Sequence, residues 1–322
     1  MKTLITGGAG FIGHNVIKLL RGKGIDCYSV DSRTNYGFIP KDELDYLISG
    51  RTNRSGHTPL VVDIRNTETI KSHVGIFDIK CIVHLASFPR QKVVRQDPVT
   101  ASQVMITGLI NLLEAAVIYK VRRFVYISSS MVYGNFESGV NEDAVCNPQG
   151  QYGIMKYMGE KLVEDYCTRH GIEYVIVRPS AVYGEWDVDD RVVSKFALAA
   201  LRDQELVVRG ANERLDFTHV DDTAQGIVDA ILSENSANKI YNITRSNENT
   251  ITLAEAANLI IKIAGKGSVK LADRDLSFPS RGRLSIARAQ NDFDYNPTID
   301  VEEGFERYIN WLKSSTYWRN RL

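Results

Sequence analysis

The chain opens on a strand, a glycine turn and a helix, and that order constrains its fold more than any other feature. Lys2-Thr3-Leu4-Ile5-Thr6 has strand character, Gly7, Gly10 and Gly13 follow, and an apolar-periodic stretch runs to about Leu20. In such a unit the first glycine permits a tight turn. The second lets the backbone approach a phosphate, and the third lets the helix pack closely on the strand. The helix N-terminus then offers free N–H groups and a positive dipole end to an anion. Taken alone, the glycines also fit an ordinary strand–helix turn.

Asp31 sharpens the reading. It closes a second strand-like run, Cys27-Tyr28-Ser29-Val30, and stands 18 residues after Gly13. An acidic group near that distance accepts from a ribose 2′-hydroxyl and repels a 2′-phosphate, which favours NAD over NADP. Arg33 pulls the other way, since a guanidinium there can welcome a phosphate. Asp63 follows Leu60-Val61-Val62, a third strand. It can receive the adenine amino group or cap a helix.

Farther along, Phe124-Val125-Tyr126-Ile127 reads as a buried strand of a parallel sheet, ending in Ser128-Ser129-Ser130-Met131. Sites in open α/β sheets lie at the carboxyl ends of strands, so these hydroxyls are well placed. Tyr152 and Lys156 then stand four apart, on one face of a predicted helix. A free phenol has a pKa near 10, about three units too high for a base at neutral pH. A neighbouring ammonium favours the phenolate. Tyr152 is the expected base toward a sugar hydroxyl. Lys156 is expected to lower its pKa and bind the nicotinamide ribose, and Ser129 to hold the substrate oxygen.

These segments resemble the extended short-chain dehydrogenase/reductases, specifically the NAD-dependent nucleotide-sugar epimerases and dehydratases of the UDP-glucose 4-epimerase kind. The resemblance runs nearly end to end. It takes in the glycine turn, His84-Leu85-Ala86, the serine strand, Tyr152 and Lys156, and Arg178-Pro179-Ser180-Ala181-Val182-Tyr183-Gly184. Asp216-Phe217-Thr218-His219-Val220-Asp221-Asp222 and the closing Asn296-Pro297, Glu303-Gly304 and Trp311 continue it. It implies an α/β fold, a Rossmann-type doubly wound parallel sheet with a smaller mixed α/β lobe. It implies bound NAD held by Gly7, Gly10, Phe11, Ile12, Gly13, Asp31, Ser32, Asp63, Ile64, Leu85, Ala86, Ser128, Tyr152, Lys156 and Pro179. Ser87, Arg90, Ser129, Ser130, Met131, Tyr152, Arg214, Arg281 and Arg283 are the corresponding substrate residues. Arg281 and Arg283 lie near where the family places a diphosphate-binding arginine, and a guanidinium can fork onto those oxygens.

The implied reaction is epimerisation, most readily at C4 of a UDP-sugar through a transient 4-keto sugar. A 4,6-dehydratase needs an Asp-Glu pair just after the catalytic serine or threonine. Ser130 and Met131 stand there and can supply neither acid nor base. Rival readings are a 4-keto-sugar nucleotide reductase on the same scaffold and a catalytically inactive dinucleotide sensor. The intact Ser129-Tyr152-Lys156 set argues against the sensor. Departures from the family pattern include Ala181 where an asparagine is usual, Leu215 where an arginine precedes Asp-Phe, and Met105-Ile106-Thr107-Gly108-Leu109. Arg90 and Lys92 either face an anionic group or form a solvated basic loop.

Among the 322 residues, 39 basic and 39 acidic side chains cancel, and 43% of positions are hydrophobic. That allows a large core and gives no compositional support to nucleic-acid or membrane attraction. Cys27, Cys81, Cys146 and Cys167 are scattered, without metal-ligand spacing, and read as thiols of a reducing compartment. No signal peptide or bilayer-spanning apolar run is expected, so the expected location is cytoplasmic.

Strands are expected at 2–6, 26–30, 59–62, 80–84, 123–128 and 173–178, and helices at 11–22, 66–74, 99–119 and 151–170. Residues 35–58 read as an irregular insertion with a short helix near 41–48. Segments 190–203, 252–265 and 301–313 look helical, with short strands near 206–208 and 269–271. The expected division is 1–178 plus 217–245 as the NAD-binding domain, and 179–216 plus 246–322 as a nucleotide-sugar lobe. By resemblance, helices 99–119 and 151–170 pair across a two-fold axis in a homodimer.

Overall fold

The computed structural model describes residues 1–35, 39–246 and 250–322. Its centre is a seven-stranded, wholly parallel sheet. The strands are β1 (Thr3–Thr6), β2 (Cys27–Asp31), β3 (Leu60–Val61), β4 (Cys81–His84), β5 (Arg123–Ile127), β6 (Glu173–Pro179) and β10 (Lys239–Ile243), in the order β10-β6-β5-β4-β1-β2-β3. The order reverses between β1 and β4, which opens a crevice at their carboxyl ends. Successive residues of one strand point to opposite faces. Leu4, Ile82 and Phe124 accordingly enter one buried cluster, and Ile5, Val83 and Val125 the other.

The first face is covered by α3 (Thr67–Ile76), α6 (Gly108–Ile118) and α7 (Gln151–His170), and the second by α1 (Phe11–Gly22) and α9 (Val220–Leu232). Strand β10 pairs with β6 from Lys239 opposite Val175 to Ile243 opposite Pro179, at the edge of the large sheet. A third cluster joins Tyr183, Phe217 and α8 (Val192–Leu201) to α10 (Leu253–Ala264) and α11 (Val301–Ser314). Beside it lie a parallel pair, β8 (Glu205–Arg209) with β11 (Ser268–Ala272), and the short pair β7 (Val182–Tyr183) with β9 (Thr218–His219). Ile286, Ala289 and Tyr295, which the sequence groups with the smaller lobe, pack instead in the second cluster under the large sheet.

Two elements depart from expectation. The short helix near 41–48 extends as α2 (Lys41–Ser55) to a left-handed cap at Gly56. Its buried face is Glu43, Leu47, Arg51 and Ser55, one residue per turn, and three of these are polar. Hydrophobicity alone therefore hides its second half. The helix expected over 99–119 is preceded by α4 (Gln91–Gln96) and interrupted. Asp97 caps α5 (Pro98–Ser102), with Pro98 at its first position, and a π turn over Gln103–Thr107 precedes α6. Pro98–Ile118 as a whole is also long and apolar enough to cross a membrane by length and composition, against the expectation that no run is. A little over half of its most apolar window is buried within the fold, where Leu109, Leu112, Leu113 and Ala116 join the first cluster.

Candidate active site

The glycine turn between β1 and α1 is built so tightly that side chains are excluded. A Cβ on Gly13 would stand 2.2 Å from the Gly7 carbonyl oxygen, and one on Gly7, at φ +75°, would stand 2.8 Å from the Ala86 nitrogen. Gly10 is the N-cap of α1 and offers no side chain to its free N–H groups. Asp31 fastens the turn, because its carboxylate accepts from the Ala9 N–H at 3.0 Å and the Arg33 N–H at 2.7 Å. Burial pushes that carboxyl up from its ordinary value, against both hydrogen bonds. Arg33 donates to the Pro59 carbonyl at 3.2 Å and leaves its Nε buried without a partner. Asp63 does not cap a helix; Asn66 does. Asp63 is instead forked by Arg65 at 3.0–3.1 Å, and that hydrogen bonding lowers its pKa.

One cleft takes in Gly7, Gly10, Phe11, Ile12, Gly13, Asp31, Ser32, Asp63, Ile64, Leu85, Ala86, Ser128, Tyr152, Lys156 and Pro179. Every position assigned to the cofactor thus lines a single surface. The glycine cradle, the uncapped helix end and the free Arg33 Nε fit a dinucleotide pyrophosphate and its adenosine end.

At the other end, Ser129 caps a tight turn over Ser130–Tyr133, where its hydroxyl accepts from the Met131 N–H at 3.2 Å. Tyr152 stands in the first turn of α7, with its N–H donated to Gln91 Oε1 at 2.9 Å. One turn later, Lys156 Nζ donates to the Ile127 carbonyl at 2.7 Å and lies 5.9 Å from the centre of the Tyr152 ring. Burial pulls Lys156 down to about 7, partly opposed by Glu160. Burial also raises Tyr152, while the charge of Arg191 and the Ser129 hydroxyl draw it back. Lys156 thus lies beside the Tyr152 ring with its ammonium bonded at the end of β5.

Ser128 turns its hydroxyl away from the cleft to Glu160 Oε1, 2.5 Å distant. Glu160 also receives Arg178 at 2.7 and 2.9 Å, and both partners are buried. Arg178 continues to the Tyr133 hydroxyl at 2.9 Å, and Tyr133 donates to Asn242 Oδ1 at 2.8 Å. This chain rivets α7, β6 and β10 beneath the serine turn. Ser130 donates to Ser180 Oγ at 3.0 Å, and Met131 lines the cleft with Ser87. Ala181, also in the lining, holds φ +39°, a left-handed conformation that asparagine adopts more easily.

The arginines divide. Arg281 lines the cleft, where burial takes it down to about 10. Arg214 and Arg283 do not line it. Arg214 bonds to the Thr250 carbonyl, and Arg283 lies beside Ser138 and Gly139. Arg90 and Lys92 face an anionic group of the chain itself, the Asp190 carboxylate, at 2.5 and 3.2 Å. Among the polar cleft residues that the sequence reading did not assign to the site are Arg51, Gln91, Asp187 and Arg191. Arg51 reaches from α2 to the Ala9 carbonyl at 3.1 Å and the Trp186 carbonyl at 2.6 Å. Its one signal was the four-residue spacing of Glu43, Leu47, Arg51 and Ser55.

The NAD dependent epimerase/dehydratase family model matches residues 3–244. The chain belongs to that family. A Methanocaldococcus jannaschii protein, whose name carries UDP-glucose 4-epimerase as an unproven assignment, is 30% identical over 97% of this chain and 98% of its own. The UDP-glucuronate 4-epimerase of Thermodesulfobacterium geofontis is 25% identical over 97% of this chain and 96% of its own. The crystal structure of UDP-glucuronic acid 4-epimerase from Bacillus cereus, in complex with UDP-glucuronic acid and NAD, superposes with a TM-score of 0.88. It is 27% identical and covers 97% of this chain and 99% of that one. This family member is therefore an NAD-dependent enzyme with the Rossmann-type fold expected of it.

Proposed function

We propose that this epimerase-family chain inverts C4 of a UDP-sugar through a transient 4-keto sugar, with Ser129, Tyr152 and Lys156 as its reacting set. The observation that carries this reading is the placement of that set on the same cleft as the glycine turn. NAD, when bound, supplies a hydride acceptor that gives the hydride back within the same turnover. Gly7 to Gly13 and α1 would hold its pyrophosphate, Asp31 and Ser32 its ribose, and Asp63 and Ile64 its adenine end. Leu85, Ala86, Ser128 and Pro179 would flank the remainder.

Tyr152 takes the proton of the C4 hydroxyl and later returns it. Ser129 donates a hydrogen bond to that oxygen as it becomes a ketone, which stabilises the charge left on it. Lys156, anchored at the end of β5, positions the nicotinamide ribose and adds its charge when protonated. Arg281 would fork onto the diphosphate. Ser130 and Met131 provide no acid or base for loss of water, so the keto sugar is returned rather than dehydrated.

The division into a dinucleotide domain and a sugar-nucleotide lobe belongs to this reading, with the 285–295 segment moved to the former. So do a cytoplasmic location and a homodimer across α6 and α7, where Ile118, Ile154 and Met158 are exposed. The test of the chemistry is Tyr152→Phe. We expect turnover to fall by about 10²–10⁴-fold while the folded protein keeps its cofactor. Turnover within about tenfold of the parent would remove Tyr152 from its assigned role.

A further inference from the structure

Ala9 sits inside the glycine turn, and both of its backbone polar groups are held from outside that turn. Its N–H donates to Asp31 Oδ2 at 3.0 Å, at the end of β2. Its carbonyl accepts from Arg51 Nη1 at 3.1 Å, from α2. Gly10 donates its own N–H to the Gly7 carbonyl at 3.0 Å. The peptide between Ala9 and Gly10 is thus pinned on both sides. It lies immediately ahead of the N–H groups that the start of α1 leaves without partners inside the helix.

The rest of the Arg51 guanidinium reaches out of the cofactor half. Nε and Nη2 both donate to the Trp186 carbonyl, at 3.0 and 2.6 Å. Trp186 holds φ +73°, a left-handed conformation that is costly for a bulky side chain and persists only where its surroundings fix it. Arg51 fixes its backbone, and α2 fixes its ring. A Cβ on Gly50 would stand 1.9 Å from the indole, so the ring seats against a bare stretch of helix. Tyr46, one turn before Gly50, stacks on the same indole with centroids 5.4 Å apart. Asp187 follows Trp186 in the chain and lines the cleft together with Arg51. Burial lowers Arg51 to about 10, opposed by the charges of Asp187 and then Asp31, so it stays a cation at neutral pH.

One side chain therefore bonds the glycine turn with one nitrogen and the segment after β7 with two. We propose that Arg51 is a positioning residue for NAD, holding the glycine turn in the shape that receives the pyrophosphate while the Trp186 segment is docked on α2. Retention of NAD between turnovers then depends on a contact outside the glycine turn. Lysine keeps the charge but lacks the planar fork that meets two carbonyls at once. The inference rests on the reading of Gly7 to Gly13 as the pyrophosphate cradle and is independent of which sugar is bound.

The test follows exchange of bound NAD for isotopically labelled NAD in the purified full chain, by mass spectrometry and without any sugar. The variants are Arg51→Lys, Arg51→Met, Gly50→Ala and the Gly50→Ala, Arg51→Lys double, with circular dichroism reporting folding. We expect Arg51→Lys and Arg51→Met to exchange NAD about 10–100-fold faster than the parent, the size of lost charge-assisted hydrogen bonds. Gly50→Ala leaves Arg51 in place and displaces the indole. It should shift exchange in the same direction, with an effect that does not add to that of Arg51→Lys. In turnover assays of Arg51→Lys, KM for NAD should rise far more than kcat falls. Should Arg51→Met fail to fold, Arg51→Lys and Gly50→Ala carry the test. Exchange in Arg51→Lys within about threefold of the parent would overturn the inference. So would a turnover loss that saturating NAD leaves unrestored, and additive effects of the two single variants would overturn the dependence on Trp186. A parent that neither carries NAD nor takes it up would overturn the cradle reading itself.

Discussion

Glu160 and Arg178 show how much a single pair can be asked to hold. Both are shut away from water, and Ser128, Tyr133 and Asn242 are oriented through them. Arg178→Met would leave the Glu160 carboxylate buried without its charge partner. We expect this to cost about 3–5 kcal/mol in urea unfolding, with much of it recovered in the Arg178→Met, Glu160→Leu double variant. An equal or larger loss in the double variant would show that packing, not charge, dominates there. At this scale the sequence was legible where function is local in the chain. Tyr152 and Lys156 lie on one helical face and Ser129 at one strand end, so spacing alone brings them to the site. Gln91, Asp187 and Arg191 were hidden because only tertiary folding carries them to the cleft that Tyr152 lines. Four-residue spacing gives the proximity of Lys156 to Tyr152 but not the direction of its ammonium, which bonds the Ile127 carbonyl.

At the scale of the element, α2 gives the clearest lesson and a pH signature. Its inner face is polar because it reaches across to the 185–191 segment, where Glu43 Oε1 accepts the Asp189 N–H at 3.0 Å. Burial, and next the charge of Asp189, raise the Glu43 carboxyl from 4.5 to about 7. The folded chain therefore binds this proton more tightly than the unfolded chain. The contribution of this one group to stability is fully present below about pH 4.5, declines as pH rises to about 7, and is absent above it. Glu43→Gln removes that dependence. Measured by chemical unfolding, its stability relative to the parent should climb between pH 5 and 7 and then level off; a difference independent of pH would contradict this. The buried parallel strands, by contrast, were legible almost to the residue, since strands buried on both faces read as continuous apolar runs, whereas the exposed β3 spans only Leu60–Val61 of the expected 59–62. The break before α5 was not, although Asp97-Pro98 carried its signal as a cap and a first-turn proline.

On the scale of the whole molecule, the site exists because two bodies of sequence meet over the carboxyl edge of the sheet. Gly7 to Gly13, the serine turn and α7 come from the large sheet. Asp187, Arg191 and Arg281 come from segments after β6. Arg51 ties these parts together, donating to Ala9 in the glycine turn and to Trp186 beyond it. The central claim is that hydride leaves C4 and returns to the same carbon within one molecule, so that the reaction is redox-neutral overall. The most direct measurement follows UDP-sugars deuterated at C4, uronates and neutral hexoses alike, by NMR with the NAD-loaded protein. The account predicts the C4 epimer with deuterium retained at C4 and no net change in nicotinamide absorbance. Stoichiometric reduction or oxidation of the nicotinamide, with label lost from the sugar, would contradict it and identify a net oxidoreductase.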